Sequence, residues 1–472
     1  MATTNLRRAV ALMTASSFLV PAVGLLTQPV LARALGATGR GEMAAAVAPA
    51  VLASSVATLG LPDALTYLAA RFPRSGRAAL GWSVLLSAVM GLLCVLVTLP
   101  LAPVLAGGDV DLAPLIVLCM GMGVPLLVVG ALRGAARGHQ MWTAVAVEGV
   151  VNAGLRIAGF VGLWVLGELT VLTALLVAFL APAAAGLVYL PLLRRRTWAR
   201  AAEAPGGEPE ARSGPVRAGE PGESAPVGAG TVRFLLRYGG MVWFGSVASM
   251  LVARMDQVLM VPLSSAEDLG LYTVAVTVSD VPIVVALAVS GALQGVGSRS
   301  NDPDQVVLTT RLALLLTSAS CLVLGASAPL WIVPLFGAEF QAAVVPSLML
   351  FASAVAYVPG LMAGAGLAAF GRPGLRSTGF AFTFAVNLAC FVLLVPTLGV
   401  VGACWASIVG NVAMSGFMVL AASRTVQRPV RDFLVLRGSD VALAWREGWG
   451  LVRRVLRRPG RAVPVAAGEQ HD

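Results

Sequence analysis

Long apolar runs recur along the whole chain, and they limit what it can fold into more than any other feature. Each is as long as the roughly 20 apolar residues that span a bilayer as a helix. Only 12% of the 472 residues are charged and 58% are hydrophobic, too little polar surface for a soluble protein of this length. The sequence therefore predicts an all-α polytopic membrane protein of about 12 transmembrane helices. The predicted spans are residues 9–31, 43–70, 78–105, 112–132, 141–166, 169–193, 234–263, 269–296, 306–335, 342–370, 377–396 and 400–422.

The first run follows Arg7 and Arg8, as the apolar part of a signal peptide would. It is too long for a signal peptide and lacks a clear cleavage site, which favours a retained helix.

The distribution of arginine predicts the orientation of these spans. All 33 basic residues are arginine, and with a cytoplasmic N-terminus all but four fall on the cytoplasmic side or in the cytoplasmic tail. Basic residues concentrate on the cytoplasmic side of membrane proteins, so both termini are expected in the cytoplasm of a bacterial cell. The net charge of +10 is then a sign of topology and not of a nucleic-acid partner. The four exceptions are Arg33 and Arg40, placed outside, and Arg156 and Arg254, placed within the membrane. Acidic residues occupy the predicted external turns: Asp109, Asp111, Glu168, Glu267, Asp268 and Glu339.

Composition divides the chain into two membrane units. The predicted segments are a cytoplasmic N-terminus (1–8), an N-lobe (9–193), a disordered cytoplasmic linker (194–232), a C-lobe (233–423) and a basic amphipathic cytoplasmic tail (424–472). The linker is rich in Pro, Gly, Ala and Glu without periodicity. In the tail, residues 440–458 place Val and Trp on one helical face and Arg on the other, which predicts an interfacial helix bound to anionic membrane lipids.

The two halves resemble each other in sequence. A shift of 229 residues aligns Ser17 with Ser246, Gln28 with Gln257, and Gly41 with Gly270. Six spans is an even number, so two copies share one orientation, as in transporters built from parallel repeats. We therefore expect two parallel-repeat six-helix lobes around a central cavity, with the substrate path at their interface.

Polar stripes predict which helix faces line that path. Glu148, Asn152 and Arg156 follow one another at i, i+4 steps, either because they face the path or because the first two solvate the arginine. The two interpretations are compatible. The predicted polar lining is Ser17 and Gln28 in span 1, Asn152 in span 5, Ser246 and Gln257 in span 7, and Thr277 in span 8.

Arg254 and Asp256 are the charged residues of an apolar stretch at 244–263. An arginine at the centre of a bilayer costs roughly 2.5–3.5 kcal/mol on insertion scales. The two side chains lie far apart on a helical wheel, so one is expected to face the cavity and the other a neighbouring helix. Glu148, Asp256 and Asp280 are candidates either for coupling to protons or sodium or for holding helices together.

Several other classes of function have little support. The five cysteines lie in apolar runs and there are two histidines, which predicts no metal site, no cofactor and no catalytic residues. The motif GAGLAAFG (364–371) has glycine spacing like a nucleotide loop, but no strand precedes it, and helix packing is favoured. Short external loops argue against a membrane glycan polymerase or ligase.

Four stretches resemble a known family. PVLARALGATGRGEMAAAVAPAVLASSVATLGLPDALTYLAA (29–70), MDQVLMVPLSSAEDLGLYTVAVTVSD (255–280), PLFGAEFQAA (334–343) and LLVPTLGVVGACWAS (393–407) are similar, in order and spacing, to polysaccharide flippases of the multidrug/oligosaccharidyl-lipid/polysaccharide (MOP) exporter superfamily. The resemblance covers roughly residues 5–423 and implies a cavity that opens to either side in turn. The implied substrate is an oligosaccharide on undecaprenyl diphosphate, and polysaccharide polymerase machinery becomes a candidate partner.

Arginine pairs bidentately with phosphate oxygens, so arginines are the expected ligands of the substrate diphosphate. Arg156 and Arg254 are the first candidates, and Arg33 and Arg40 the second. A lipid II flippase is the first alternative, although its family implies a denser cluster of basic residues. A cation-coupled drug exporter is the second, but it would favour an acidic, aromatic cavity, and aromatic residues make up only 6% of the chain.

Overall fold

The computed structural model describes residues 2–71, 73–193, 229–300 and 303–442, and all regular elements in these ranges are helices. The first group is α1 (Ala2–Ala57), α2 (Leu61–Arg71), α3 (Pro73–Leu105), α4 (Leu112–Gly138), α5 (Trp142–Val165) and α6 (Val171–Ala185), which continues as a 3-10 segment, Gly186–Leu193. The second group is α7 (Ala229–Leu263), α8 (Ala266–Ser300), α9 (Pro303–Phe336), a 3-10 turn (Ala338–Ala343), α10 (Val344–Ala369), α11 (Pro373–Val426) and α12 (Val430–Leu434). Most of the predicted linker lies outside the described residues, and α7 includes the last four residues of that predicted linker, 229–232.

Two glycines divide the longest helices into pairs of spans. A continuous 54-residue helix would be about 80 Å long, against a hydrocarbon core of about 30 Å. Gly36 (φ 69°, ψ −175°) interrupts α1, and Gly399 (φ 53°, ψ −131°) interrupts α11. Glycine adopts these positive φ angles without the steric cost that other residues incur. Each long helix is therefore two arms: α1a (2–35) and α1b (37–57), and α11a (373–398) and α11b (400–426).

The described helices agree with the predicted twelve spans. By length and composition, eight are suited to cross a membrane, with a ninth span if Leu26–Ala57 and Leu61–Ala70, bent by 44°, count as one. Separating the arms of α1 and α11, and adding α8, which packs between α1 and α10, brings the number to twelve. The protein is a multi-pass membrane protein, and α3 shows the face expected against lipid: Leu85, Val89, Leu92 and Leu96 are each about half exposed.

The two lobes touch at a pair of glycines on the side of the membrane opposite the linker, here the far side. A Cβ built on Gly41 of α1b would lie 1.6 Å from the carbonyl oxygen of Ala266, and one built on Gly270 of α8 would lie 1.9 Å from that of Ala37. Only glycine permits such an approach of two backbones. These are the two glycines that the 229-residue shift aligns, so the sequence repeat coincides with a contact between equivalent helices.

A second glycine pair joins the lobes on the linker side. Gly60 (φ 67°) lies between α1b and α2, and its Cβ would lie 2.2 Å from the carbonyl oxygen of Gly239 in α7. The indole N–H of Trp243 donates to the carbonyl oxygen of Val56 at 2.8 Å, near the end of α1b. The ring of Tyr67 stacks on those of Phe234 and Tyr238, at 5.9 and 5.0 Å. We call this set of contacts between α1b–α2 and α7 the linker-side seam.

Candidate substrate cavity

A cavity of about 510 Å³ lies between the lobes, walled by both arms of α1 and by α5, α6, α7 and α8. Its apolar wall includes Leu31, Met43, Val47, Val276 and Ile283. Its polar wall consists of Gln28, Arg40, Arg156, Arg254, Gln257, Thr273, Thr277 and Asp280. The predicted lining residues Gln28, Gln257 and Thr277 are among them, whereas Asn152 and Ser246 are not. The side chain of Ser17 lies outside the described residues.

Three arginines from three helices meet in this cavity. Arg40 lies in the first turn of α1b on the far side, Arg156 is in the middle of α5, and Arg254 is in α7. Each has a neutral neighbour. Arg40 donates to the side-chain oxygen of Gln28, and Arg254 donates to that of Gln257 at 3.0 Å.

Arg156 lies over the ring of Phe160, one turn along α5, with 5.8 Å between the guanidinium carbon and the ring centroid. Such a cation–π contact stabilises a guanidinium without neutralising its charge.

The cavity has an excess of positive charge. Asp280 is its one carboxylate among the described residues, and no ion pair within 4 Å joins it to an arginine there. Arg40 is only 8% exposed, and its Nε atom has no hydrogen-bond partner in the described structure. A desolvated cation with an unused donor is unfavourable by itself and favours an anionic ligand.

Asp256 faces away from the cavity, although it is two residues from Arg254. The hydroxyl of Tyr272 donates to its carboxylate at 2.7 Å and lies 3.0 Å from the hydroxyl of Ser407. The carboxylate thus joins α7 to α8 and, through the tyrosine, to α11b. The structure therefore places the arginine at the cavity and the aspartate against neighbouring helices.

Glu148 also lies away from the cavity, and its partners are residues other than Arg156. It accepts two hydrogen bonds from Arg133 of α4, at 2.8 and 3.1 Å, and one from Tyr189 of the 3-10 segment at 3.3 Å. It does not solvate Arg156. Asn152, between them on α5, has a buried side-chain oxygen without a hydrogen-bond partner among the described residues.

Arg33, a second-choice candidate for the diphosphate, does not line the cavity and contacts a helix end of the other lobe. It donates to the carbonyl oxygens of Pro334 and Leu335, the latter at 3.0 Å. These carbonyls belong to the last turn of α9, where carbonyl groups have no hydrogen-bond donors within their own helix.

A reciprocal contact lies close by. Glu339, in the turn that follows α9, accepts from the backbone N–H of Ala37 at 3.0 Å, at the first residue of α1b. Each lobe thus supplies a charged side chain to a helix end of the other, and the pair closes the far side next to Gly41 and Gly270.

Sequence reasoning missed Arg133, Tyr189, Tyr272 and Ser407. Two of them, Tyr272 and Arg133, had a usable signal. Asp256 and Tyr272 lie at equal sequence distances on either side of Ser264, in the short turn between α7 and α8. In an antiparallel helix pair, residues equidistant from the turn lie opposite each other. Arg133 and Glu148 likewise flank the turn between α4 and α5 at nearly equal distances, whereas Tyr189 and Ser407 come from segments that are distant along the chain.

The sequence model of a family described as "Polysaccharide biosynthesis protein" matches residues 6–294. No curated protein matches the sequence at a significant level. Several solved structures share the fold, among them the following three. A multidrug resistance MATE family transporter of the MOP superfamily, in an inward-facing conformation, is 16% identical with a TM-score of 0.64, covering 85% of this chain and 94% of that one.

The lipid II flippase MurJ, in an inward closed conformation, is 11% identical with a TM-score of 0.65, covering 96% of this chain and 94% of that one. A MOP superfamily transporter from Pyrococcus furiosus is 15% identical with a TM-score of 0.58, covering 89% of this chain and 95% of that one. The predicted fold class, and the predicted resemblance to this superfamily, are confirmed.

Proposed function

Because the chain belongs to the family of polysaccharide biosynthesis proteins and has the fold of MOP superfamily transporters, we propose that it is a flippase for lipid-linked oligosaccharides. In this proposal it moves an oligosaccharide on undecaprenyl diphosphate from the inner to the outer leaflet of a bacterial cell membrane. Both termini are then cytoplasmic, and the far side faces outward.

The convergence of Arg40, Arg156 and Arg254 carries the proposal. A polar glycan and a diphosphate cannot cross hydrocarbon unaided. Fixed guanidinium groups in a site with little water replace the hydration of the diphosphate, and each offers two parallel donors to phosphate oxygens. With three cations against Asp280, the cavity attracts an anion and disfavours a cationic drug.

Alternating access gives the lobe contacts a role. The cavity reaches from Arg40, near the far-side turn at Gly36, to Gly24 and Leu287, deeper toward the linker side. Beyond Arg40, the glycine pair and the Arg33 and Glu339 contacts close the far side. Release of the glycan outward then requires these contacts to separate while the linker-side seam holds the lobes together.

Asp280 is the carboxylate best placed for ion coupling. It shares the cavity with Arg254, whereas Asp256 and Glu148 are engaged by Tyr272 and Arg133. When the diphosphate leaves, a proton or sodium ion that binds or releases at Asp280 changes the net charge of the empty site. That change gives the return step a different energy from the loaded step.

Reconstituted vesicles test the proposal directly. The purified protein is placed in vesicles with a fluorescent undecaprenyl-diphosphate oligosaccharide. A membrane-impermeant reductant quenches only the fluorescent lipid in the outer leaflet, and so measures the movement of this lipid between the outer and inner leaflets. We expect flipping by the wild type, strong loss in Arg156→Ala and Arg254→Ala, and no loss in Arg424→Ala, an exposed arginine remote from the cavity.

Parallel vesicles with lipid II and with a cationic dye separate the alternatives. Flipping of lipid II at an equal or higher rate would reassign the substrate to the peptidoglycan precursor. Uptake of the dye, with neither lipid flipped, would make the protein a drug exporter.

A further inference from the structure

A second concavity lies on the linker side, between the start of α7 and α3. It has a volume of about 810 Å³ and is lined by Trp82 of α3 and by Val232, Arg233, Leu236 and Arg237 of α7. We call it the α3–α7 groove. It is separate from the central cavity, with which it shares no lining residue.

The groove combines an apolar wall with two unneutralised cations. Arg233 and Arg237 are one helical turn apart and therefore on the same face of α7, and both are exposed. No hydrogen bond or ion pair joins either of them to another residue in the described part of the chain. Trp82 is 40% exposed and Leu236 is 42% exposed, so the apolar wall is open to the surrounding lipid.

We propose that the α3–α7 groove is a binding site for an anionic phospholipid, such as phosphatidylglycerol, from the leaflet on the linker side. The phosphate lies between the two guanidinium groups, which can each donate two parallel hydrogen bonds. The acyl chains lie along Trp82 and Leu236. Tryptophan is enriched at the level of lipid headgroups, and basic side chains there attract anionic lipids over zwitterionic ones.

The position of the groove gives such a lipid an effect on conformation. Trp82 belongs to the N-lobe and the arginines belong to the C-lobe, and Tyr238 and Gly239 of the linker-side seam directly follow Arg237 in α7. A lipid that contacts both lobes here binds more tightly when the seam is closed. It therefore increases the population of the closed-seam state, and the difference between its affinities for the two states sets the size of the increase.

The test is a titration of the delipidated, full-length protein with phosphatidylglycerol or phosphatidylcholine, followed by native mass spectrometry. A basic residue near the headgroups contributes about fivefold to the binding of an anionic lipid. We expect the variant Arg233→Gln/Arg237→Gln to lose about thirtyfold in affinity for the tightest phosphatidylglycerol site. The variant Arg233→Lys/Arg237→Lys should keep most of the preference for the anionic lipid.

The matched control is Arg424→Gln/Arg431→Gln, which removes the same charge from two exposed arginines elsewhere in the C-lobe, outside the groove. The control should bind phosphatidylglycerol like the wild type. Equal losses in both glutamine variants would overturn the proposal, because they would reflect net charge alone. Equal affinity of the wild type for the two lipids would also overturn it.

Deletion of residues 203–228 distinguishes a lipid from this acidic part of the linker as occupant of the groove. If the linker occupies it, the deletion should raise phosphatidylglycerol affinity in the wild type, and that result would contradict the proposal. Unchanged affinity supports the lipid.

Discussion

Gly41 and Gly270 meet back to back where α1b and α8 begin, so closely that a methyl group on either would overlap the backbone of the opposite lobe. Both approaches are far below 3 Å, and the opposing atoms are carbonyl oxygens of helices, which cannot rotate away. The far side can thus close only because both residues lack a side chain.

We expect Gly41→Ala and Gly270→Ala to hold the far side open. In a variant without the five native cysteines, a cysteine at Gln28 should then react several-fold faster with an impermeant thiol reagent added from the far side. Gly154→Ala is the control, because its Cβ would have no neighbour within 4 Å. Unchanged labelling in both test variants, at normal abundance, would mean that this contact is not the closure.

Mutations of Arg254 distinguish a role in substrate binding from a structural role for this residue. Loss of one charge-assisted pair to phosphate costs about 2 kcal/mol, or about thirtyfold in affinity. Arg254→Ala should therefore insert normally and lose most flipping, while Arg254→Lys keeps the charge without the planar fork and retains part of it. If Arg254 instead serves to balance Asp280, then Arg254→Ala should lower protein abundance, and adding Asp280→Asn should restore it.

The sequence predicted the spans well because each is a local property, a run of apolar residues long enough to cross hydrocarbon. The repeat was also readable, since the shift that aligns Gly41 with Gly270 aligns Gln28 with Gln257, and both glutamines line the cavity. Partner assignments failed where they depended on packing between distant segments. Arg33 is 302 residues from Leu335, and no periodicity within α1a distinguishes a helix-capping arginine from a ligand-binding one.

Glu148 shows a second limit, because the i, i+4 series of Glu148, Asn152 and Arg156 on α5 suggested a partner that the fold does not use. Side chains four residues apart are neighbours on a helix surface. Arg133 of the neighbouring helix α4 donates two hydrogen bonds to the carboxylate of Glu148, which is therefore paired with Arg133 and not with Arg156.

The Arg133–Glu148 pair should respond asymmetrically to mutation. The side chain of Arg133 is 36% exposed and that of Glu148 only 5%. Mutation of the arginine therefore leaves a buried group unpaired, and mutation of the glutamate leaves a partly exposed one. Arg133→Gln strands a buried carboxylate and should cost about 3 kcal/mol of stability. Glu148→Gln leaves a guanidinium that water can reach and should cost about 1 kcal/mol. Thermal unfolding in detergent measures both, and lost flipping in Glu148→Gln at unchanged stability would instead support ion coupling.

The proposed orientation is tested by labelling in intact cells. Asp109, Glu168 and Glu267 lie in or beside turns on the far side, and Ser213 lies in the linker. Single cysteines at the first three should react with an impermeant thiol reagent, and one at Ser213 should react only after the cells are opened. Labelling of Ser213 in intact cells would reverse the orientation and, with it, the direction of transport.

The segment after α11b should be part of the C-lobe up to residue 442. Phe433 of α12 is fully buried, and Asp440 forms a 2.9 Å ion pair with Arg311 of α9, with side-chain exposures of 2% and 8%. Truncation after residue 442 should leave the midpoint of thermal unfolding nearly unchanged, whereas truncation after residue 426 should lower it clearly. Asp440→Asn leaves Arg311 buried without its anion and should cost about 3 kcal/mol. Asp432→Asn, which breaks the more exposed pair with Arg437, should cost under about 1 kcal/mol, so equal losses would contradict the assignment.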